Sequence, residues 1–260
     1  MTQRNGHETP AIEAIRTYWN DRIHDQQMSA HPVGTRGFFD DLEAYRYDKL
    51  RYLPEVVDFS AFRGKKILEI GCGIGTDLVR FAQGGAEVTG VDLSETAIDL
   101  AKQNAALHSV PANMIVGNGE ALDFPDATFD VVYAHGVLQY TADIQKIIDE
   151  IHRVLKPGGT FISMVYNRKG WLMIMSKLFH VDLEHDDAPA FHLYTAREFR
   201  TFLSKFNDVH IVPERFPVKS RLQKGLKARL FNTLFVDVFN AIPRPLVRRW
   251  GWHLMAFCTK

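Results

Sequence analysis

The stretch ILEIGCGIGTDLVRFA, residues Ile67–Ala82, decides the fold. Its start is a short apolar run of strand character. Gly71, Gly73 and Gly75 then break the run, and from Thr76 the apolar residues return at helical spacing. Strand, glycine turn and helix in that order open a doubly wound sheet, where a ligand lies across the carboxyl ends of the strands. Glycine lets the backbone approach such a ligand with no Cβ in the way.

The alternation continues outward from this stretch. TDLVRFAQGG reads as a helix ended by a glycine pair. AEVTGVDL is a second strand, and SETAIDLAKQNAALH a helix with Ser94 as its N-cap. ANMIVGNG and FDVVYAHG are a third and a fourth strand, followed by a helix over about 141–155. KPGG turns into a fifth strand, TFISMVYN; a helix near 195–205 and strands at DVHIVP and WHLMAFCT complete the series. The pattern predicts an α/β, Rossmann-like, doubly wound and mostly parallel seven-stranded sheet with helices on both faces.

The whole chain, 1–260, reads as one domain. Residues 1–63, with aromatic-rich helices at 11–24 and 38–52, form an N-terminal helical cap or lid, and 64–166 the ligand-binding core. Residues 167–194 and 213–250 are too long for structureless connections, so both are expected to be insertions with helices of their own.

Composition excludes several classes. With 46% hydrophobic residues and 31 Lys+Arg against 31 Asp+Glu, the chain has a real core and no bulk charge for nucleic acid. The charge is uneven: from Pro213 to Lys260 there are ten Lys/Arg and two Asp/Glu. Cys72, inside the glycine turn, and Cys258 make no disulfide framework, and no Cys/His zinc spacing occurs. The polar start, MTQRNGHETPAIEAIRTYWNDRI, lacks a signal-peptide core, and no apolar run reaches the roughly 18 residues of a membrane span. A cytoplasmic location is the expectation.

The loop chemistry narrows the ligand. A dinucleotide fingerprint, G-x-G-x-x-G, would require glycine where Thr76 stands. Glu69 and Asp77 flank the loop and would repel a pyrophosphate, whereas an ammonium-bearing ligand suits an acid there.

Four blocks in order resemble the class I S-adenosylmethionine-dependent methyltransferases: LEIGCGIG, the Asp92 that ends VTGVD, GNGEALDFPDATFDVVYAHGVLQY, and LKPGGTFIS. Together they cover about residues 64–166. The resemblance implies S-adenosyl-L-methionine as cofactor, released as S-adenosyl-L-homocysteine. It places the methionine end on Glu69, Gly71, Cys72, Gly73 and Gly75. It gives the ribose hydroxyls to Asp92, whose carboxylate accepts two hydrogen bonds at once. Leu93 and Leu122 either line the adenine or belong to the core. At Gly117–Glu120 the family has an acid after the first glycine; here Asn118 accepts from the adenine amino group without charge-assisted strength. Gly119 lies in the same turn, and Glu120 is either a second adenine contact or a solvated loop acid. Tyr18 and the EAYRYDK segment close over the cofactor from the N-terminal side, or simply pack.

The acceptor is expected to be a small molecule, with a hydrophobic or lipid-like one among the candidates. The place after strand four reads AHGVLQY, without the N/D/S-P-P-Y/F signature of nucleic-acid amino methyltransferases, and neither cysteine follows a proline. His135 is a candidate general base or a cap on the methionine end; Tyr140 and Tyr166 steer the acceptor or fill the core. HVDLEHDDAPAFH, residues 180–192, holds three histidines and four acids. It is a polar lid loop, a source of a base at His185 or His192, or a metal site; no metal is expected. The basic amphipathic stretch in 213–250 either packs on the domain or touches an anionic membrane. The rival from another class is a non-catalytic cofactor-binding protein that docks a partner through that stretch. A nicotinamide dehydrogenase conflicts with Thr76 and Glu69.

Overall fold

The computed structural model describes residues 9–179, 183–217, 233 and 236–260. Seven strands form one sheet: β1 (Lys66–Ile70), β2 (Glu87–Asp92), β3 (Ala112–Val116), β4 (Phe129–His135), β5 (Leu155–Tyr166), β6 (Asn207–Glu214) and β7 (His253–Thr259). The spatial order is β3-β2-β1-β4-β5-β7-β6. Strands β1 to β5 are parallel, and β7 inserts antiparallel between β5 and β6. Because β1 pairs with β2 on one side and β4 on the other, the winding reverses beside it. The loops leaving β1, β2, β3 and β4 therefore open onto one crevice.

The helices around the sheet are α1 (Pro10–Asn20), α2 (Arg36–Lys49), α3 (Leu53–Val56), α4 (Thr76–Gln83), α5 (Glu95–Leu107), α6 (Ile144–Val154), α7 (Trp171–Phe179) and α8 (Ala196–Phe202). The period-2 alternation of the strands divides the core in two. Ile67, Val131 and Tyr133 pack with Leu78, Phe81 and Ile98 on one face. Leu68, Val132 and Ala134 pack with Ile147, Ile148 and Ile151 on the other. Each fully buried aliphatic side chain contributes about 1.5–3 kcal/mol, so a one-residue slip of β1 would lose both faces at once.

Local chemistry sets the helix ends. The Ser94 hydroxyl accepts from Ala97 N at 3.0 Å, as its N-cap role requires. Helix α1 stops at Asn20 rather than 24, and Asp25 then takes a left-handed turn at φ 59°. Helix α2 starts at Arg36 because Thr35 caps Phe38 N, and it ends at Lys49; Pro54 then starts the short α3. Strand β5 takes in the KPGG turn, with Leu155 opposite Phe129 across an irregular register. In the 213–250 stretch the structure describes helices at Asp237–Ala241 and Arg244–Val247. The expected amphipathic stretch there falls largely on 218–232 and 234–235, outside the described residues, as do His180 to Asp182 of the histidine-rich string. No helix among the described residues is long and apolar enough to cross a membrane.

Candidate active site

A cavity of about 260 Å³ opens at the point where the strand order reverses. Most of the candidate residues from the sequence meet there. Glu69, Gly71, Cys72 and Gly73 line it from the β1 loop, Asp92 and Leu93 from β2, and Asn118, Gly119 and Glu120 from β3. His135 and Tyr140 line it from beyond β4, and His185 from the long connection after β5. Gly75 and Tyr18 stand behind this lining: Gly75 is the left-handed N-cap of α4, and Tyr18 reaches the site through His185. Leu122 is buried in a core cluster and is not part of the lining. His192 donates its backbone N–H to the Gln139 carbonyl and is not part of the lining.

The glycines are needed for space and for φ. Gly71 lies at φ 65°, and a Cβ there would fall 2.3 Å from Val137 Cγ2. Gly73 lies at φ 52° with nothing within 4 Å of its missing Cβ, so the cradle is open at that point. Asp92 fixes the loop: one carboxylate oxygen accepts from Gly73 N and the other from Ser94 N, both at 2.9 Å. A carboxylate offers about four lone-pair sites, so acceptor capacity remains beyond these bonds. Burial raises its pKa above the usual range. Asn118 turns its side-chain oxygen onto Glu120 N at 2.9 Å, and Glu120 in turn accepts from Asp143 N. Both therefore also brace their own loops.

The two acids flanking the glycine loop have different fates. The sequence offers Glu69 and Asp77 alike to a cation, but Asp77 is already neutralised. Arg46 of α2 grips it through Nε at 2.7 Å and Nη2, and the hydroxyls of Tyr47 and Tyr133 donate to it at 2.8 Å each. Burial pushes the Asp77 carboxyl up, but Arg46 outweighs it and holds the pKa at about 2. Glu69 has no such partner. Its Oε2 is sealed from solvent without a hydrogen bond. Desolvation, then the charge of Asp77, raises its pKa well above the usual range.

From Arg46 a hydrogen-bonded chain runs along the cavity floor. Arg46 Nη2 donates to His135 Nδ1 at 3.3 Å, and Arg215 Nη1 donates to His253 Nε2 at 3.1 Å. Guanidinium groups only donate, so each contacted nitrogen must carry the lone pair. Burial, assisted by the arginine charges, lowers both histidine pKa values, that of His135 to about 3, so both rings are neutral. Their remaining N–H groups then point at one atom. His135 Nε2 lies 3.1 Å and His253 Nδ1 2.6 Å from the Tyr52 hydroxyl oxygen. Tyr52 receives two N–H donors, and its own hydrogen is directed at Met255 Sδ, 3.8 Å away. Tyr52, Arg215 and His253 were missed from the sequence, and Arg46 was singled out only as part of the EAYRYDK segment, because each gains its meaning from a partner on another element.

The mouth of the cavity is clasped by α1 and the 183–188 turn. The Tyr18 hydroxyl donates to Asp187 at 2.6 Å, and Arg22 reaches the same carboxylate at 3.4 Å. His24 and His185 share a hydrogen bond at 2.7 Å, with Trp19 against the His185 ring. Among the described residues His24, Asp25 and Glu184 bring potential metal-ligand atoms within 4.8 Å of one another. Lys49 already supplies the positive charge there, with Nζ 2.6 Å from Glu184 and 3.5 Å from Asp25.

A seven-stranded sheet in this order, with a glycine loop and an acid ending β2 at the reversal point, is the fold of the Rossmann-like methyltransferases. Residues 68–163 match a family model described as a methyltransferase domain. Over these residues, 96 of the 260, the chain is similar to S-adenosylmethionine-dependent methyltransferases. It is 37% identical over 97 residues to a sterol 4-C-methyltransferase of Caenorhabditis elegans, covering 36% of this chain and 29% of that one. It is 29% identical over 173 residues to a ubiquinone biosynthesis O-methyltransferase of Proteus mirabilis, covering 65% and 64%. The matched part is thus less than two thirds of either relative. Among solved structures, magnesium protoporphyrin IX methyltransferase of Synechocystis superposes with a TM-score of 0.63 at 14% identity, covering 95% of this chain and 99% of that one. Geranyl diphosphate C-methyltransferase of Streptomyces coelicolor superposes at 0.61 with 18% identity, covering 96% and 98%. At these identities the likeness concerns the fold.

The donor set suits the family's cofactor. An orphaned buried carboxylate oxygen on Glu69 matches an ammonium, an open glycine cradle matches a close-lying chain, and the remaining acceptor capacity of Asp92 matches a ribose hydroxyl.

Proposed function

We propose that this chain transfers a methyl group from S-adenosylmethionine to a small-molecule acceptor. The observation that carries the reading is one cavity lined both by Glu69, the glycine loop and Asp92 and by Tyr140, Tyr166, Arg215 and His253. Donor and acceptor can meet there without crossing bulk water.

When bound, the cofactor supplies an electrophilic sulfonium methyl, so the protein's share is positioning and water exclusion. Glu69 would hold the ammonium, the Gly71–Gly75 loop the methionine chain, Asp92 the ribose, and Asn118 with Leu93 the adenine. His135 serves as a fixed wall rather than a general base: its Nδ1 lone pair is engaged by Arg46 and its other nitrogen donates to Tyr52. Tyr140, whose hydroxyl donates to the Glu184 carbonyl at 3.4 Å, and His185 border the acceptor side, with Tyr18 holding the clasp closed. His185 is a poor base where it stands, because burial and the neighbouring His24 lower its pKa. The 183–193 segment and Arg215 would shape the acceptor compartment.

The test is transfer of a labelled methyl from S-adenosylmethionine into a metabolite extract, with mass spectrometry of the product, beside calorimetry with S-adenosylhomocysteine and NAD. Tight NAD binding with no response to the adenosyl ligand would refute the assignment. Cofactor binding without any labelled product would favour the non-catalytic rival.

A further inference from the structure

We propose that Arg215 anchors the acceptor through an oxyanion, so that the acceptor is an organic anion with an apolar or aromatic body. The inference rests on the methyltransferase reading of the cavity and adds the substrate class.

Among the described residues, four cationic side chains reach this cavity, and three already have a carboxylate. Arg46 carries Asp77, Lys49 carries Glu184 and Asp25, and Arg22 carries Asp187 while lying over the Tyr18 ring. Arg215 contacts only the uncharged His253 ring, at 3.1 Å, and among the described residues it has no carboxylate partner. Glu184, whose carboxyl feels the Arg215 charge, is bonded to Lys49 instead. A guanidinium cannot discard its charge when half-buried, so an unopposed one at a cavity wall selects for an anion. Its planar fork matches a carboxylate or a phosphate.

The backbone is built to present this side chain. Arg215 sits at φ 55°, in the left-handed region that a long side chain rarely adopts. Its carbonyl is held there by two donors, the Trp171 indole at 2.8 Å and Trp252 N at 3.3 Å. The close approach requires Gly251, since a Cβ at that residue would lie 2.7 Å from Glu214 N. Strain that is over-determined by its surroundings is a mark of functional placement. Beside the guanidinium stands an aromatic wall: Tyr166 stacks on Trp252 at 4.9 Å and meets Tyr140 edge-on at 6.2 Å. An acceptor with an oxyanion on Arg215 would lay its body against Tyr166 and Tyr140, which line the cavity, with Trp252 buried behind Tyr166.

Isothermal titration of the full chain, saturated with S-adenosylhomocysteine, tests this with 2-naphthoate, 2-naphthyl phosphate and the uncharged 2-naphthamide. At least one anion should bind about tenfold tighter than the amide, on the order of one charge-assisted contact. Naphthoate ahead assigns a carboxylate, naphthyl phosphate ahead a phosphate. Arg215→Gln should abolish the preference and Arg215→Lys should keep part of it, with S-adenosylhomocysteine affinity unchanged in both. Equal or absent binding of the three probes to the wild type overturns the proposal. So does an Arg215→Gln variant that keeps the preference, or one that loses S-adenosylhomocysteine instead, which would put Arg215 on the cofactor. If the wild type fails to bind S-adenosylhomocysteine, the methyltransferase reading falls, and the anion preference is then judged on the unliganded chain by the same criteria.

Discussion

Replacing Glu69 by glutamine should strengthen the fold and weaken the site. The carboxyl ends β1 among buried atoms, one oxygen has no partner, and Asp77 and Asp92 both oppose its ionisation. Its folded pKa is raised above the unfolded value near 4.5, so the native state holds the proton more tightly than the unfolded chain does. The resulting penalty is absent below the unfolded pKa, grows as pH rises above it, and levels off past the folded pKa. Glutamine removes that penalty. A buried, unpartnered polar group costs about 1–3 kcal/mol and a charged one more, and the amide recovers part of it. At roughly 2–4 °C per kcal/mol for a chain of this size, the variant should melt about 2–8 °C higher at pH 7.5 and match the wild type near pH 4. Binding should move the other way. An ammonium on ionised Glu69 makes a charge-assisted bond of about 1.5–3 kcal/mol, so S-adenosylhomocysteine should bind about 10- to 150-fold more weakly to the variant. Where the empty site holds Glu69 protonated, binding expels that proton, and wild-type affinity gains up to about one log unit per pH unit from this group. Scanning calorimetry from pH 4 to 8.5 reads the stability. Titration in two buffers of different ionisation enthalpy counts the proton. A variant that melts lower at pH 7.5, or that binds as tightly as the wild type with the same proton release, would refute the reasoning.

Asp92→Ala should lose about 1–3 kcal/mol of S-adenosylhomocysteine affinity by titration calorimetry; unchanged affinity would mean that the ribose lies elsewhere. Arg46→Met leaves Asp77 buried without its guanidinium and should cost about 3–5 kcal/mol in denaturant unfolding. Asp77 has its pKa depressed to about 2, so it contributes stability that is present above its unfolded value near 3.8 and lost as pH falls through about 2. The variant should lack that acid limb, and an identical limb would show the pair to be unimportant. In ¹⁵N spectra of the histidine rings, His135 should stay neutral with its proton on Nε2, and His253 neutral with its proton on Nδ1, from pH 5 to 8. Titration of His135 within that range, or the opposite tautomer, would restore it as a candidate base.

What could be read from the sequence, and what could not, divides by range. β1 shows its apolar residues to both faces, α4 returns them at helical spacing, and apart from Tyr18 each candidate cofactor contact sits near the carboxyl end of a strand. One topological fact, the reversal beside β1, then collects Gly71, Asp92, Asn118 and His135 into one cavity. No period in the chain announces that Arg46 will meet Asp77, or that His253 will meet Tyr52. The second meeting depends on β7 entering antiparallel beside β5, which sets His253 opposite Tyr166 at the same end of the sheet as the glycine loop. The two acids of that loop show what long-range contacts add. They have the same charge and flank the same turn, and by sequence either could hold an ammonium. Asp77 faces the α2 helix and spends its charge on Arg46, anchoring the cap to the core. Glu69 lines the cavity, where among the described residues its Oε2 has no hydrogen-bond partner and the Arg46 charge is outweighed by burial and by Asp77. Only the unsatisfied acid can turn its desolvation into ligand affinity, and it is the one whose removal should stabilise the empty protein.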